Sequence, residues 1–382
     1  MPVKKTTKKK TTTKKTSLKK SAPKKAPSKK ATSKSWLRRF WASRSKLTKV
    51  ILVLYAVGFL VFGSMYAISV WFRIKHADEP IQWGTTWSFK YARELGIDPF
   101  QGFEATLRDL PISRVRIMSY WDQHEPENNQ YNWEELDWQF EQAEKYDTDV
   151  SLAVGLRQPR WPECHWPGWA QELEFAEWRE ELKDYMAAVV ERYDDHPALV
   201  EYQLENEFFL SVFGICPDHS RERLVDEYEF LNDMTDTRIT ISRSNNALGW
   251  PVNEPEPDDY SVSVYKRVWD VTFTKQYFEY PFPAWFYGFL GGISEITQGK
   301  QNFFIHELQA EPWGPRPTAD LTAEEQLESM DPRRLESRLK YAHDTGIRTI
   351  DIWGSEWYYW QMTEFDNDTL WTTVQTELPK LD

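Results

Sequence analysis

Residues 113–155 of the chain read SRVRIMSYWDQHEPENNQYNWEELDWQFEQAEKYDTDVSLAVG, and they contain three segments of different periodicity. Alternating apolar residues over Ser113–Tyr120 predict a β-strand, and Val150–Gly155 predicts a second one. Between them, the apolar residues of Trp133–Lys145 recur at the three- and four-residue spacing of an amphipathic helix. Two strands joined by a helix form a parallel pair, because parallel strands need a long crossover connection. The stretch therefore predicts a βαβ unit.

The same succession of short apolar runs and longer amphipathic stretches continues on both sides of this unit. Six further runs have the length and the β-branched content of strands. They are Ile81–Trp87, Leu199–Glu207, Thr237–Ser242, Tyr260–Tyr265, Asn302–Leu308 and Arg348–Trp353. Eight strand–helix units in about 300 residues predict an α/β fold, the (β/α)8 TIM barrel, over residues 81–382. The aromatic segment Val268–Lys300 is predicted to form loops over the barrel mouth.

The N-terminal part of the chain differs in composition from the predicted barrel. Residues 1–49 contain 19 Lys or Arg and no acidic residue, residues 50–72 contain no charge, and residues 73–382 contain 28 basic and 59 acidic residues. Lys-rich, low-complexity sequence cannot bury enough apolar surface to fold, so a disordered tail is predicted over residues 1–49. Val50–Phe72 as a helix is roughly 34 Å long, enough to cross a ~30 Å hydrocarbon core. Residues 73–80 are then a short linker.

The basic residues before the apolar segment predict its orientation in a membrane. An excess of Lys and Arg keeps its side in the cytoplasm, so the chain is expected to be a single-pass signal-anchor protein with the barrel outside. A buried core helix and a cleaved signal peptide are the alternatives, but the uncharged run is long for either. The tail has the charge to contact anionic lipid or nucleic acid, and the alternative is a solvated topology signal.

The linker length predicts which end of the barrel faces the bilayer. The eight residues Arg73–Pro80 span at most about 28 Å. A chain enters a barrel strand at the bottom of the barrel, opposite the mouth. The bottom is therefore expected to lie toward the bilayer and the mouth away from it.

The chain has two cysteines, Cys164 and Cys216, which follow the third and fourth predicted strands. The loops after these strands are neighbours at one end of a barrel, so a disulfide is predicted, with two free thiols as the alternative. No metal-ligand spacing, Gly-rich phosphate loop or Cys-x-x-Cys motif occurs in the sequence. We therefore expect no metal and no cofactor.

Two predicted strands contain a glutamate at or near the carboxyl end, where the active sites of TIM barrels lie. Glu207 closes the fourth strand, and Glu307 lies in the seventh. A retaining glycosidase needs two carboxyl groups ~5–5.5 Å apart: one attacks the anomeric carbon, and the other exchanges a proton with the leaving oxygen and then with water. Glu205 remains an alternative to Glu207, because the two share one side of a regular strand. Glu311, four residues beyond Glu307, remains an alternative to Glu307.

The surroundings of both glutamates resemble those in clan A glycoside hydrolases, the group that includes families 5 and 42. In that clan the acid/base Glu follows an Asn at the end of the fourth strand, as in YQLENEF (Asn206-Glu207), and the nucleophile ends the seventh, as in FFIHELQAEPW (Glu307). The run WDQHEPENNQYNWEELD after the second strand is similar to one seen in family 42. The resemblance covers about residues 80–365 and implies a TIM-barrel glycosidase.

The resemblance also implies residues that contact the nucleophile or the sugar. Arg116 is expected to contact the nucleophile, Tyr265 to donate a hydrogen bond to it, and Trp353 to form a sugar platform; with Asn206 these are the expected substrate-binding residues. A second Asn-Glu pair, Asn253-Glu254, is rejected because no strand leads into it. Loop residues expected near the subsites are His124, Glu125, Arg157, Trp161, Trp313, Glu356 and Trp357.

These features together predict a membrane-displayed retaining glycoside hydrolase that cleaves β-glycosidic bonds of an oligo- or polysaccharide. Two other functions remain open: a non-catalytic glycan-binding protein on the same barrel, and a structural membrane protein whose Lys-rich tail is the active part. A binding module has no need of both carboxylates, which argues against the first alternative. The sugar and the linkage do not follow from the sequence.

The predicted topology can be tested with protease added to intact cells. Because the basic residues hold residues 1–49 inside, we expect digestion of residues 73–382 and no digestion of the tail. Mass spectrometry of the released and the cell-retained peptides measures the digestion of residues 73–382 and the protection of the tail. Release of peptides from the tail by external protease contradicts this orientation.

Overall fold

The computed structural model describes residues 33–244, 254–299 and 302–381 of the chain. The chain divides into two compact units, Met1–Val61 and Phe62–Asp382. Residues 1–32, the larger part of the predicted tail, lie outside the described residues, as does Asn253 of the rejected Asn-Glu pair.

The N-terminal helices extend beyond the segment that the apolar run predicts. Helix α1 spans Ser33–Ala42, inside the predicted disordered tail, and α2 spans Lys46–Lys75, so it includes the start of the predicted linker. Residues 33–42 contain neither Pro nor Gly, so the low-complexity composition that predicts disorder does not extend to them. Helix α2 is long and apolar enough to cross a membrane by length and composition, and its most apolar part is exposed.

The second unit is built around a closed barrel of eight parallel strands, each hydrogen-bonded to the next in sequence and the last to the first. The strands are β1 (Gln82–Thr86), β2 (Arg114–Met118), β3 (Asp149–Val154), β4 (Leu199–Leu204), β5 (Arg238–Arg243), β6 (Asp259–Val264), β7 (Phe303–Gln309) and β8 (Thr349–Trp353). All eight predicted strands are present, with ends that differ by at most three residues. The predicted TIM barrel is therefore confirmed.

Eleven helices accompany the strands in the described part of the second unit. They are α3 (Phe89–Glu94), α4 (Pro99–Asp109), α5 (Trp121–His124), α6 (Glu134–Lys145), α7 (Phe175–Tyr193), α8 (Arg221–Met234), α9 (Ala284–Gln298), α10 (Ala323–Ser329), α11 (Pro332–His343), α12 (Ser355–Glu364) and α13 (Thr369–Leu381). Their starts follow local sequence signals: Asp98 caps α4 and is followed by Pro99, and Asp331 caps α11 before Pro332.

The segment predicted to form loops over the mouth is more regular than expected. Arg267–Trp269 and Tyr277–Glu279 pair as an antiparallel hairpin, and α9 follows it. Three glycines lower the helix propensity of α9 and obscure its pattern in the sequence. They are retained at positions where a side chain has no room: a Cβ on Gly288 would lie 2.6 Å from the backbone oxygen of Thr345.

The last turns of α2 pack along α9 within the second unit. Four contacts occur in the same order along both helices: Tyr66–Trp285, Ser69–Gly288, Phe72–Gly291 and His76–Glu295. The helices therefore run side by side in the same direction. Ser69 and Phe72 are buried there, because the glycines let the two backbones approach closely. The predicted linker is thus in part a packed helix.

The Gly288→Ala substitution tests this close approach. The added methyl group would overlap the Thr345 oxygen, and overpacking of this kind costs about 1–3 kcal/mol. Gly63→Ala in α2 is the matched control, because a Cβ there meets no atom within 4 Å. Thermal unfolding of the full chain in detergent should show a midpoint below that of the wild type for Gly288→Ala and no such lowering for Gly63→Ala. Equal midpoints for the two variants contradict the packing.

Candidate active site

A cavity of about 530 Å³ lies at the carboxyl ends of the barrel strands, a volume typical of a small-ligand site. Five of the six predicted site residues line it: Asn206, Glu207, Tyr265, Glu307 and Trp353. Arg116, which the sequence suggested as substrate-binding, does not line the cavity; its side chain is wholly buried behind it.

Glu207 lies in a turn beyond β4 rather than on the strand. The strand ends at Leu204, and both Glu205 and Glu207 have positive φ, 55° and 43°. Such backbone conformations are uncommon for residues with a side chain and cluster at functional sites. The Glu207 amide donates to Ser242 Oγ at 2.9 Å, and the Glu207 carboxyl accepts a hydrogen bond from the Ser263 hydroxyl. These bonds hold the turn and direct its carboxyl group into the cavity.

Glu307 lies on β7, and each of its carboxyl oxygens accepts a hydrogen bond. Arg116 Nη2 donates to Oε1 at 2.9 Å, and the Tyr265 hydroxyl donates to Oε2 at 2.9 Å. A charged donor on one oxygen and a phenol on the other favour the ionised carboxylate. Burial and the nearby charge of Glu307 raise the pKa of Tyr265 well above its usual value, so the phenol keeps its proton.

Arg116, which lies on β2, connects Glu307 to side chains on β1 and β4 and to its own neighbour on β7. Its guanidinium donates to Thr86 Oγ1 on β1 at 3.0 Å and to Gln203 Oε1 on β4 at 2.9 Å. It also donates to His306 Nδ1 on β7 at 2.5 Å. Four acceptors with one charged donor fix the guanidinium in a single position. Arg116 is therefore a positioning residue for the carboxylate.

A hydrogen-bonded path leads from Arg116 to the second carboxyl group. Because a guanidinium only donates, His306 Nδ1 accepts and the imidazole proton is on Nε2. Burial, followed by the Arg116 charge, lowers the pKa of His306 well below its usual value, so the ring is neutral. His306 Nε2 faces Ser263 Oγ at 3.1 Å, which leaves the Ser263 hydroxyl proton for Glu207. His306 and Ser263 have no distinctive sequence signal of their own.

The electrostatic surroundings of Glu207 differ from those of Glu307. Burial, followed by the Glu307 charge, raises the pKa of Glu207 to about 7. The hydrogen bond from Ser263 acts in the opposite direction, because it stabilises the charged form. Glu207 therefore carries a proton below neutral pH. Glu307, in the same cavity, accepts hydrogen bonds from two donors, Arg116 and Tyr265.

A third carboxyl group, that of Glu163, also lines the cavity, and the sequence did not indicate it. Burial raises the pKa of Glu163 to about 8, and the charges of Glu207 and Glu307 act in the same direction. Asn206 Nδ2 donates to Glu163 at 3.2 Å, and Arg157 Nη2 is 3.5 Å from it. The one available sequence signal is its position beside Cys164.

The predicted disulfide between Cys164 and Cys216 is confirmed, with the two Cα atoms 5.2 Å apart. It joins the loops after β3 and β4. Glu163 and Glu207 lie in these two loops, so the cross-link limits how far the loops can separate. The disulfide therefore supports the cavity wall from outside.

The structure shows which of Glu205 and Glu207 faces the cavity, whereas strand alternation does not distinguish them. Glu205 accepts from the backbone amides of Leu156 and Arg157 and pairs with Arg223 at 3.1 Å. It does not line the cavity. Glu205 thus fastens the β3 loop to α8, and Glu207 faces the cavity.

Trp353 and the remaining alternative, Glu311, form another part of the cavity wall. Arg160 covers the Trp353 ring, with its guanidinium carbon 4.0 Å from the ring centroid, and pairs with Glu311 at 2.6 Å and Glu356 at 3.1 Å. Glu311 lines the cavity with its charge compensated by Arg160. Trp353 Nε1 has no hydrogen-bond partner among the described residues.

Two of the seven loop residues expected near the subsites line the cavity, namely Trp161 and Trp313. The other five do not line it: His124, Glu125, Arg157, Glu356 and Trp357. All five are buried, and the charged ones bind backbone groups or other side chains. Position after a strand is therefore not sufficient to predict a cavity residue, because many side chains of these loops point into the protein.

Residues 105–236 match the model of glycoside hydrolase family 42, which is described as β-galactosidase. The match covers about a third of the chain, from within α4 to just beyond α8, and includes Asn206 and Glu207. Glu307 lies outside it. No curated protein matches the sequence.

Three solved structures show the fold. A β-galactosidase from the haloarchaeon Halorubrum lacusprofundi has a TM-score of 0.53 at 14% identity, covering 79% of this chain and 58% of that one. Xylanase 10B from Thermotoga maritima has a TM-score of 0.50 at 14% identity, and the alignment covers 78% of this chain and 95% of that one. GH5_18 from Streptomyces cattleya, solved with GlcNAc, has a TM-score of 0.50 at 12% identity, and the alignment covers 72% of this chain and 70% of that one. At these identities the likeness shows the barrel alone. The family match covers less than half of the chain, and together with the barrel it supports a glycoside hydrolase that is similar to family 42 over residues 105–236.

Proposed function

We propose that the protein cleaves β-glycosidic bonds with retention of configuration, with Glu307 as the nucleophile and Glu207 as the acid/base residue. The observation that carries this proposal is the contrast between the two buried carboxyl groups. Glu307 is held by Arg116 and Tyr265, whereas the pKa of Glu207 is raised to about 7. A retaining glycosidase needs one ionised and one protonated carboxyl group at the start of the reaction.

The first step forms a bond between a Glu307 oxygen and the anomeric carbon. The glycosidic C–O bond breaks in the same step, and its electron pair goes to the leaving oxygen. Tyr265 and Arg116 each occupy one lone-pair direction of the carboxylate and so fix the attacking geometry. The product of this step is a glycosyl ester of Glu307.

Glu207 gives its proton to the leaving oxygen during that step. The ionised Glu207 then takes a proton from water, which attacks the anomeric carbon and releases Glu307. The charge on Glu307 is lost while the ester exists, and this charge is one cause of the high pKa of Glu207. The pKa of Glu207 is therefore expected to fall in the intermediate, where a base is needed.

Two further residues are proposed to bind the sugar. Asn206 lies between Glu163 and Gln203, which hold its amide by 3.2 Å and 3.1 Å hydrogen bonds. Trp353 lines the cavity, and its aromatic ring is suited to pack against the apolar face of a sugar. The description of the matched family as β-galactosidase supports a β-linked sugar substrate.

We also propose that α2 anchors the enzyme in a membrane, with the part of the predicted span Val50–Phe72 that precedes Tyr66 in the bilayer and the barrel outside the cytoplasm. The length and the apolar composition of α2 support this, as does the charge split of the sequence. The tail 1–49 is then cytoplasmic, where its cations can contact anionic lipid or nucleic acid.

Replacing each glutamate tests the assigned roles. Glu207→Ala should lower kcat for substrates with poor leaving groups by about 10²–10⁴, because general acid catalysis contributes that much. Added azide should restore activity and yield a β-glycosyl azide. Glu307→Ala should lose nearly all activity, and azide should yield an α-azide if it restores any. Steady-state kinetics and NMR of the products measure these effects.

Glu336→Ala, which removes an exposed carboxyl group on α11, is the control and should keep wild-type rates. The wild-type product, followed by NMR before it mutarotates, should retain its configuration. An inverted first product defeats the retaining mechanism. Full activity of both active-site variants on the natural substrate would show that the carboxyl pair is wrongly assigned.

The pH dependence tests the hydrogen bond from Ser263 to Glu207. The acid form of Glu207 is needed, so kcat/KM should fall as pH rises through about 7. Ser263→Ala removes a bond that stabilises the ionised form, so this fall should move to higher pH. Ser261→Ala, two residues earlier on β6, is the matched control, because the Ser261 hydroxyl has no partner among the described residues. Identical profiles for the two variants contradict the role of Ser263.

A further inference from the structure

The two ends of α9 mark the two ends of the barrel. Before α9, Lys266 follows the carboxyl end of β6, and its ammonium group donates to Phe282 O at 2.9 Å. Tyr280, four residues before α9, lines the active-site cavity. After α9, Phe303 begins β7 at the bottom of the barrel. The start of α9 is therefore at the mouth end, and its carboxyl end is at the bottom.

The part of α2 that belongs to the second unit runs from the mouth end to the bottom, because it runs in the same direction as α9. Tyr66 contacts Trp285 in the first turn of α9, and ten residues later His76 contacts Glu295 near its last turn. Phe62, one turn before Tyr66, is exposed. Within the second unit, α2 therefore begins at the mouth end with Phe62, and the chain turns into β1 only after it has passed to the bottom.

Independently of α2, the rim of the cavity has exposed apolar side chains. Phe273 is 89% exposed and Val212 is 85% exposed, and others of this kind are Trp161, Ile215 and Val271. They lie in the loops after β3, β4 and β6, all at the mouth. The loops touch one another: Trp161 contacts Phe213, Phe213 contacts Trp313, and the Trp269 amide donates to Trp313 O at 3.0 Å.

The most exposed of these side chains stands on an ordered turn. Asp270 accepts hydrogen bonds from the amides of Thr272, Phe273 and Thr274, at 2.9, 3.1 and 2.7 Å. These bonds lower the pKa of Asp270 and fix the hairpin tip in one conformation. Phe273 is thus held outward with most of its surface exposed, and it adds to the apolar side chains grouped at the mouth; exposed apolar groups of this kind mark contact surfaces.

We propose that the mouth of the barrel faces the bilayer, with the apolar rim, defined as Trp161, Val212, Ile215, Val271 and Phe273, inserted in the lipid interface. The proposal rests on the membrane anchoring proposed above. It reverses the expectation drawn from linker length, which places the bottom of the barrel toward the membrane. That expectation assumed an extended linker, whereas α2 continues to Lys75 and runs down the side of the barrel.

The proposed orientation selects among substrates. A cavity that opens toward the lipid head groups is reached most readily by a glycan attached to a lipid, whose sugar is held within the interfacial layer. Soluble polymers must enter between the rim and the bilayer. We therefore expect the anchored enzyme to favour a sugar presented on a lipid over the same sugar free in solution.

Fluorescence quenching by lipids tests the orientation. The full chain, with its two native cysteines in the disulfide, is labelled with bimane at Phe273→Cys, Val212→Cys or, as the control at the barrel bottom, Asp195→Cys. Each variant is placed in phosphatidylcholine vesicles that contain a lipid with a nitroxide near the head group. We expect quenching of the labels at 273 and 212, and little at 195.

Quenching at 195 that equals or exceeds quenching at 273 overturns the proposal, and so does the absence of quenching at all three positions. Vesicle flotation separates this result from a failure of anchoring: protein that does not float with the vesicles refutes the anchor. The activity assay is a third readout. The double variant Val271→Ser, Phe273→Ser should lose several-fold activity on a lipid-linked aryl glycoside and keep its rate on the soluble aryl glycoside.

Discussion

The buried guanidinium of Arg116 is the group on which the rest of the active site depends. It donates to side chains of β1, β4 and β7 from its place on β2, so four strands converge on one charge. Removing one partner of a buried ion pair typically costs about 3–5 kcal/mol, because the other charge is left uncompensated. Loss of Arg116 would therefore affect Glu307 at once, and Glu207 through His306 and Ser263.

The two carboxyl groups differ although they share one cavity. Both are buried, so the difference comes from their donors: Glu307 has a guanidinium and a phenol, and Glu207 has one serine hydroxyl. Each negative charge then disfavours the other, which keeps the proton on the group with the weaker donors. Glu163 adds a third carboxyl group to this balance, positioned by Asn206 and by the loop that Cys164 cross-links.

The packing of α2 on α9 gives the glycines of α9 a structural reason. Gly288 and Gly291 leave room for Ser69 and Phe72, so the end of an apolar helix becomes part of the barrel unit. Within the second unit, the part of α2 from Phe62 to Lys75 therefore has a fixed direction relative to the mouth, which a flexible linker would not provide.

The sequence by itself determined the eight strands, the barrel and the carboxyl pair at the strand ends. These depend on local periodicity and on the order of elements along the chain, and both are visible in a single sequence. The choice of Glu207 over Glu205 needed the backbone turn after Leu204, whose positive φ angles break the strand alternation. Glu163, His306 and Ser263 became part of the site only through contacts between residues far apart in sequence. The course of α2 along α9 was likewise decided by tertiary packing, because the glycines that permit it weaken the helical pattern by which α9 would otherwise be recognised.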